Sequence, residues 1–401
     1  MRCFAASCLL LAIASPAVAE TVALKPVVEA RLREEHVEQD DLPQDSDAVT
    51  VRVRSGLEAT RGRWSALAEA QGNLAIVADY YNGVEGPSTL RPLIGDPQSI
   101  ALYRAQIQYR APGATVTAGR QRIMLEDERF VGGAAIRNNG QTFDAVRAQL
   151  EPLKGVTADV TYVWNVWTVW GIDGTGARPR SIGGDTVFAT LGVATPVGTV
   201  TGFSYLLDLD EAALQGFRLS SQTYGARLVG SRAFGQARLT WQGSYARQSD
   251  YARNPNRFRA DYWMADVALD LGGPRVGAGR EVLGADDGRA LTSFQTPLSA
   301  IFKFQGWADK FTTTPPDGIR DAYASAGWGW KQVGRWSGVS LQAVYHRFDS
   351  DRLVRRYGDE IDLLAAGKLG RTLASLRYAD YRAKGFGADT KKLWLQFDWV
   401  L

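Results

Sequence analysis

The chain has 401 residues, with 46 lysines and arginines against 43 acids and a net charge of +3, a balance that singles out no strongly charged partner and gives no support to nucleic-acid binding. Beyond residue 19 no apolar run approaches the ~20 residues of a spanning helix, which excludes an α-helical membrane protein. A soluble exported protein and a membrane β-barrel remain, and the strand pattern separates them.

The first residues set the compartment. Arg2 supplies a positive start, Leu9 to Ile13 a short apolar stretch, and Ala17-Val18-Ala19 a small-x-small cleavage signature, so 1–19 reads as an export signal and 20–401 as the mature chain. Cys3 and Cys8 leave with the signal; no thiol remains for disulfides, metal sites or nucleophilic catalysis. Among the 46 bases, 37 are Arg and nine Lys, which favours the planar fork that pairs with carboxylates and phosphates, although GC-rich codon usage gives the same bias.

From residue 25 to the end the chain alternates with period two. Val49, Val51 and Val53 oppose Thr50, Arg52 and Arg54; Ala101, Tyr103, Ala105 and Ile107 oppose Leu102, Arg104, Gln106 and Gln108. Leu239, Trp241 and Tyr245 oppose Arg238, Gln242 and Ala246. The stretches reach the roughly 9–11 residues that a tilted strand needs to cross a bilayer, longer than the ~5–6 of a soluble strand. About eighteen segments are expected, near 25–35, 48–60, 63–72, 100–110, 114–123, 141–151, 155–168, 184–195, 198–208, 221–232, 235–247, 260–271, 274–283, 320–331, 335–347, 356–367, 370–382 and 390–401.

Tight connections such as Arg61-Gly62, Pro112-Gly113, Pro196-Val197 and Gly272-Gly273 alternate with long ones such as 73–99, 124–140, 169–183 and 284–319. Short turns on one rim and long loops on the other define an all-β, up-and-down antiparallel transmembrane barrel of about 18 strands, a single domain in a Gram-negative outer membrane. Leu393, Leu395, Phe397, Trp399 and Leu401 close the chain with the alternating strand read by the barrel-assembly machinery. Trp64, Trp167, Trp263, Trp330 and Trp336 fall near strand ends, as an interfacial girdle requires.

Two segments carry a family resemblance. Gly119-Arg120-Gln121-Arg122-Ile123 continues through Glu126-Asp127-Glu128-Arg129-Phe130-Val131-Gly132 and Arg137-Asn138-Asn139-Gly140 to Gln141-Thr142-Phe143-Asp144-Ala145-Val146-Arg147. Phe294-Gln295-Thr296-Pro297 leads through Gly306-Trp307-Ala308-Asp309-Lys310-Phe311 to Gly318-Ile319-Arg320-Asp321, and Leu393-Trp394-Leu395-Gln396 is a weaker third match. Together they resemble the alginate export family of outer-membrane porins. The resemblance implies an eighteen-stranded barrel and an Arg-lined pore for an anionic uronate polymer. Where that family carries aromatic residues before Arg-Asn-Asn-Gly, this chain has Ala134-Ala135-Ile136.

By alternation, Arg31, Arg33, Arg52, Arg54, Arg104, Arg110, Arg147, Arg227 and Arg238 point inward, and Arg377 with them. Arg120 joins the candidates from the motif, where parity is mixed. Glu29, Glu58, Asp159, Asp266, Asp270, Glu281, Glu360 and Asp362 share that side. Cross-strand pairing that stiffens the wall competes with an unpaired ring that selects anions. Inward Arg exceeds acid in the first six strands, so a positive constriction is expected there, with compensating acids in the C-terminal half.

Loop 284–319 reads either as a surface loop or as an inward gate, and Glu126-Asp127-Glu128 as a solvated acidic loop in preference to a calcium site. His36 and His346 are far apart and no metal-ligand spacing, nucleophile elbow or phosphate loop is present, so no enzyme, cofactor or metal is expected. The expected function is passive passage of anionic saccharides, polymer or oligomer, through a monomer. A general anion porin and a non-conducting surface-binding barrel are the alternatives.

Overall fold

The structure is a computed structural model that describes residues 21–210 and 216–401; the expected export signal and both cysteines lie outside them. Eighteen strands follow in chain order: β1 Ala23–Gln39, β2 Ser46–Arg61, β3 Trp64–Asp79, β4 Ser99–Ala111, β5 Ala114–Gln121 and β6 Thr142–Leu153. Then come β7 Val156–Trp167, β8 Ser181–Thr195, β9 Gly198–Leu207, β10 Ser221–Phe234, β11 Ala237–Asp250 and β12 Arg259–Asp270. The last six are β13 Pro274–Leu283, β14 Ile319–Val333, β15 Trp336–Asp349, β16 Arg356–Leu369, β17 Thr372–Ala383 and β18 Thr390–Val400. Every strand pairs antiparallel with its chain neighbours, and β1 pairs with β18 from Glu29↔Val400 to Gln39↔Thr390, closing the cylinder. Closure leaves no unpaired strand edge, the condition for crossing lipid without a helix.

The eight tight turns each place a glycine in the left-handed region, among them Gly62 at φ 56° and Gly113 at φ 70°, conformations that a Cβ would strain. The nine longer connections all lie on the opposite rim. The outer wall carries Leu32, Leu57, Leu74, Leu341, Leu363 and Leu395, and Ile100 on it is 78% exposed. No helix among the described residues is long and apolar enough to cross a membrane. The apolar surface is therefore outside and the charged surface inside, the reverse of a water-soluble barrel.

Alternation fails at one place that matters for the lumen. Glu69 pairs with Arg104 but Ala70 with Leu102, so Tyr103 bulges. Leu102, expected on the polar face, turns outward at 48% exposure, while Tyr103 turns inward, is buried, and lies under Arg54 with the guanidinium carbon 3.9 Å from the ring centre.

Two long loops fold into the barrel. Segment 122–141 is anchored by Phe130, packed within 5.2–5.9 Å of the rings of Phe203, Tyr205, Tyr262 and Phe294. Segment 284–318 is anchored by Phe311 among Phe348, Tyr357, Tyr381 and Phe386. Loop 284–319 is thus an inward fold and not a surface loop, because its aromatic side chains pack against the luminal wall and the loops beside it.

Candidate functional site: the luminal constriction

The first wall of the lumen comes from β1 and β2. Period two stacks Arg31 and Arg33 on one strand and Arg52 and Arg54 on its neighbour, with Arg31 directly across from Arg52. Four guanidiniums this close repel one another, and the structure answers with acids and backbone carbonyls. Arg31 donates to Asp398 at 2.7 Å and to the carbonyls of Ala135 and Ile136 at 3.2 and 3.0 Å. Arg33 pairs with Asp96 at 2.7 Å and donates to Gln396 and to the Ile136 carbonyl. Arg54 pairs with Glu29 at 2.7 Å and reaches Gln71 and the Asn138 carbonyl. Arg52 has only longer contacts, 3.8 Å to Glu29 and 4.0 Å to Asp398, and its Nε–H has no acceptor.

The Arg-Asn-Asn-Gly run explains itself from these contacts. Asn138 receives Asp96 on its backbone N–H at 2.7 Å and donates its side chain to Thr50 at 2.8 Å. Asn139 donates to the Pro97 carbonyl and accepts from Gln71. Arg137 pairs with Asp309 at 2.6 Å, which raises the guanidinium pKa against the burial that opposes it. The run is a clamp: it ties one inward loop to the basic wall and to the other inward loop.

The two loops are also joined directly. Gly132 N–H donates to the Leu298 carbonyl at 2.9 Å and Ala300 N–H to that of Glu128 at 3.0 Å, while Lys303 pairs with Glu128. Arg129, fully buried, pairs with Glu281 at 2.6 Å and donates to Thr296 and Gln305. Asp127 pairs with Arg227 at 2.5 Å. Glu126-Asp127-Glu128 is therefore not a solvated acidic loop; its latter two carboxylates are consumed by loop docking. No group of three metal-ligating side chains occurs among the described residues.

A second wall, from β12 to β16, is acidic: Asp266, Glu281, Asp321, Glu360 and Asp362 face inward with His346. His346 Nδ1 lies 2.9 Å from Asp321 and Nε2 3.7 Å from Asp362. Both ring nitrogens thus face carboxylates, and among the described residues no serine is hydrogen-bonded to the ring. Ala308 and Trp307 of the loop donate backbone N–H groups to Glu360 at 2.7 Å and Asp362 at 3.2 Å.

Between the walls and below the loops lies a cavity of about 880 Å³, lined among others by Arg31 and Arg377 from β1 and β17 and, on the facing wall, by Asp266, Glu281 and Asp321 with Arg275 among them. Of the arginines singled out by sequence, Arg31, Arg33, Arg52 and Arg54 form one group, paired as above. Arg104 pairs with Glu69 at 2.5 Å, Arg147 with Asp159 at 2.6 Å and Arg227 with Asp127. Arg110 and Arg238 stand exposed near the short-turn rim, with no carboxylate within ion-pair distance among the described residues. Arg120 does not enter the pore. Its strand neighbour Gln121 and its flanking partners Phe143 and Ala145 are buried inward, so Arg120 and the opposing Asp144 point out, 2.8 Å apart, with the guanidinium 3.8 Å over Trp167. A motif match gave it a role that strand parity does not.

Sequence reasoning missed Asp96, Arg129, Asp309 and Lys303. All four lie in loops, where no periodicity announces which side chain will enter the lumen.

No family model and no curated protein sequence matches the chain. Solved structures do. The chain is similar to the outer membrane protein OpdK of Pseudomonas aeruginosa, at 14% identity and a TM-score of 0.70 over 94% of this chain and 98% of that one. The OpdK structure with vanillate gives 12% identity and 0.69 over 94% and 98%. OccAB4 of Acinetobacter baumannii gives 13% and 0.67 over 95% and 98%. The fold is an outer-membrane porin barrel. At these identities the likeness speaks for architecture alone, and it does not show membership of the alginate export family.

Proposed function

We propose that the chain is a passive outer-membrane channel for small anionic solutes bearing carboxylates, with uronate-type sugars and short oligomers among the candidates. The observation that carries this reading is the basic wall. Arg31, Arg33, Arg52 and Arg54 sit beside a cavity that Arg377 and, from the facing wall across from Asp270, Arg275 also line, and neither of the latter two has a carboxylate within ion-pair distance among the described residues. An open guanidinium in a narrow, partly dehydrated passage attracts a carboxylate and offers it two parallel N–H donors. The cavity volume falls in the range that holds one small molecule. The two inward loops further narrow the lumen, which favours monomers and short chains over a polymer. OpdK, of the same architecture, has been solved with vanillate, an aromatic carboxylate.

The test is ion selectivity in planar bilayers across a salt gradient. The wild type is expected to be anion-selective, and Arg377→Glu with Arg275→Glu to lose most of that preference. Cation selectivity in the wild type sinks the proposal; a barrel that inserts but shows no conductance favours a surface-binding role instead.

A further inference from the structure

The outer face of β14 to β18 is graded in a way that the pore does not require. The strand register arranges its outward residues in rows. Nearest the long-loop rim, Arg347, Asp359 and Arg382 lie side by side on β15, β16 and β17; the next row holds Tyr345, Ile361, Asp380 and Lys391. Below them come Ala326, Ala343, Leu363, Tyr378 and Leu393, then Trp328, Leu341, Ala365, Leu376 and Leu395. The alanines leave a groove of about 600 Å³ in the wall, floored by Ala326, Ala343 and Ala365 and flanked by Trp328, Leu363 and Leu376.

The charged row is held for display. Arg347 donates to Asp349 at 3.1 Å, and Arg382 to Asp380 at 2.9 Å and to Asp389 at 3.3 Å, yet their side chains remain 57% and 49% exposed, so part of each guanidinium is open to solvent. Tyr345 and Tyr378 turn their hydroxyls to Asp359 at 2.5 Å and Asp380 at 3.4 Å, the level at which a polar ring tip meets lipid headgroups. Arg355 and Lys384 above them form no ion pair among the described residues.

We propose that this face binds one phosphorylated glycolipid of the outer leaflet, its acyl chain in the alanine groove and its phosphates on Arg347 and Arg382. These residues stand two strand spacings apart, roughly 10 Å, which suits a headgroup with two phosphates better than one with a single phosphate. Guanidinium on phosphate is the bidentate contact such a site would use. The assignment rests on the outer-membrane reading, since it needs the long-loop rim to face the outer leaflet.

The experiment is native mass spectrometry of the refolded barrel in detergent, incubated with bis-phosphorylated lipid A or with phosphatidylglycerol. Wild type is expected to retain lipid A preferentially. Ala343→Trp, which fills the groove, and Arg347→Glu with Arg382→Glu, which reverse the headgroup contact, should each weaken retention by roughly tenfold or more. Val160→Trp, on the far outer face, should leave it unchanged. Equal retention of phosphatidylglycerol, no effect of the groove and charge variants, or a mass of two chains pairing through this face would each overturn the proposal. Heat-dependent migration of every variant on a gel reports that the barrel itself has formed, so failure of the outer-membrane reading is seen separately.

Discussion

Arg31 and Arg377 line the same cavity but differ in what their guanidiniums have left to offer. Arg31 spends its donors on Asp398 and on two loop carbonyls, whereas Arg377 reaches only Ser375 at 3.2 Å. Alternation along a strand shows which way an arginine points, but not which acid will meet it from another loop or a closing strand. That is why the inward direction of the β1 and β2 arginines was legible in the sequence while their partners Asp96 and Asp398 were not. Lys310 adds a titratable charge at the mouth. Burial beside Lys392 pushes its pKa down to about 8, from an ordinary value near 10.4. The ammonium is charged below that point and neutral above it, so positive charge at the mouth falls as pH rises from about 7 to about 9. Anion selectivity measured by reversal potential is expected to decline over that window, and Lys310→Arg to hold it level.

At the scale of elements, strands were readable because each obeys one rule over its full length: lipid on one side, water on the other. Loops obey no such rule. The segments 122–141 and 284–318 enter the lumen through aromatic anchors and buried ion pairs whose partners lie more than a hundred residues away, such as Arg129 with Glu281 and Arg137 with Asp309. Arg129→Ala leaves Glu281 without its counterion and should cost roughly 3–5 kcal/mol, read as a lower unfolding midpoint in urea. Gly306 is a subtler lever. It sits at φ 78° and a Cβ there would run into the Glu360 carboxylate. Gly306→Val therefore carries about 1–3 kcal/mol of backbone strain in addition to that collision. Undocking the loop is the easiest relief. The expected result is higher single-channel conductance with more current noise; unchanged conductance would mean that the loop does not limit the passage.

For the molecule as a whole, the lumen is divided into a basic wall from β1, β2 and β17 and an acidic wall from β12 to β16, and the near-neutral net charge of the sequence conceals it. A field across the passage orients a dipolar solute as well as admitting an anion. The excess of inward arginine in the early strands indicated the first wall. The inward acids Asp266, Glu281, Glu360 and Asp362 indicated the second, but not that Glu360 and Asp362 meet Asp321 and His346, because alternation cannot show that residues of β14, β15 and β16 share one height.

Closure of the cylinder has its own consequence. The amide of Leu401 donates to the Val28 carbonyl at 3.0 Å, and strands β1 and β18 lie side by side with their outer ends on the short-turn rim. Joining residue 21 to residue 401 by a brief linker would simply add a ninth hairpin, and the chain could then be cut at any of the existing eight. Such rearranged orders should refold to the same heat-shifted band. The seam would then be a matter of where synthesis happens to begin, while the cylinder is specified by neighbour recognition all the way round.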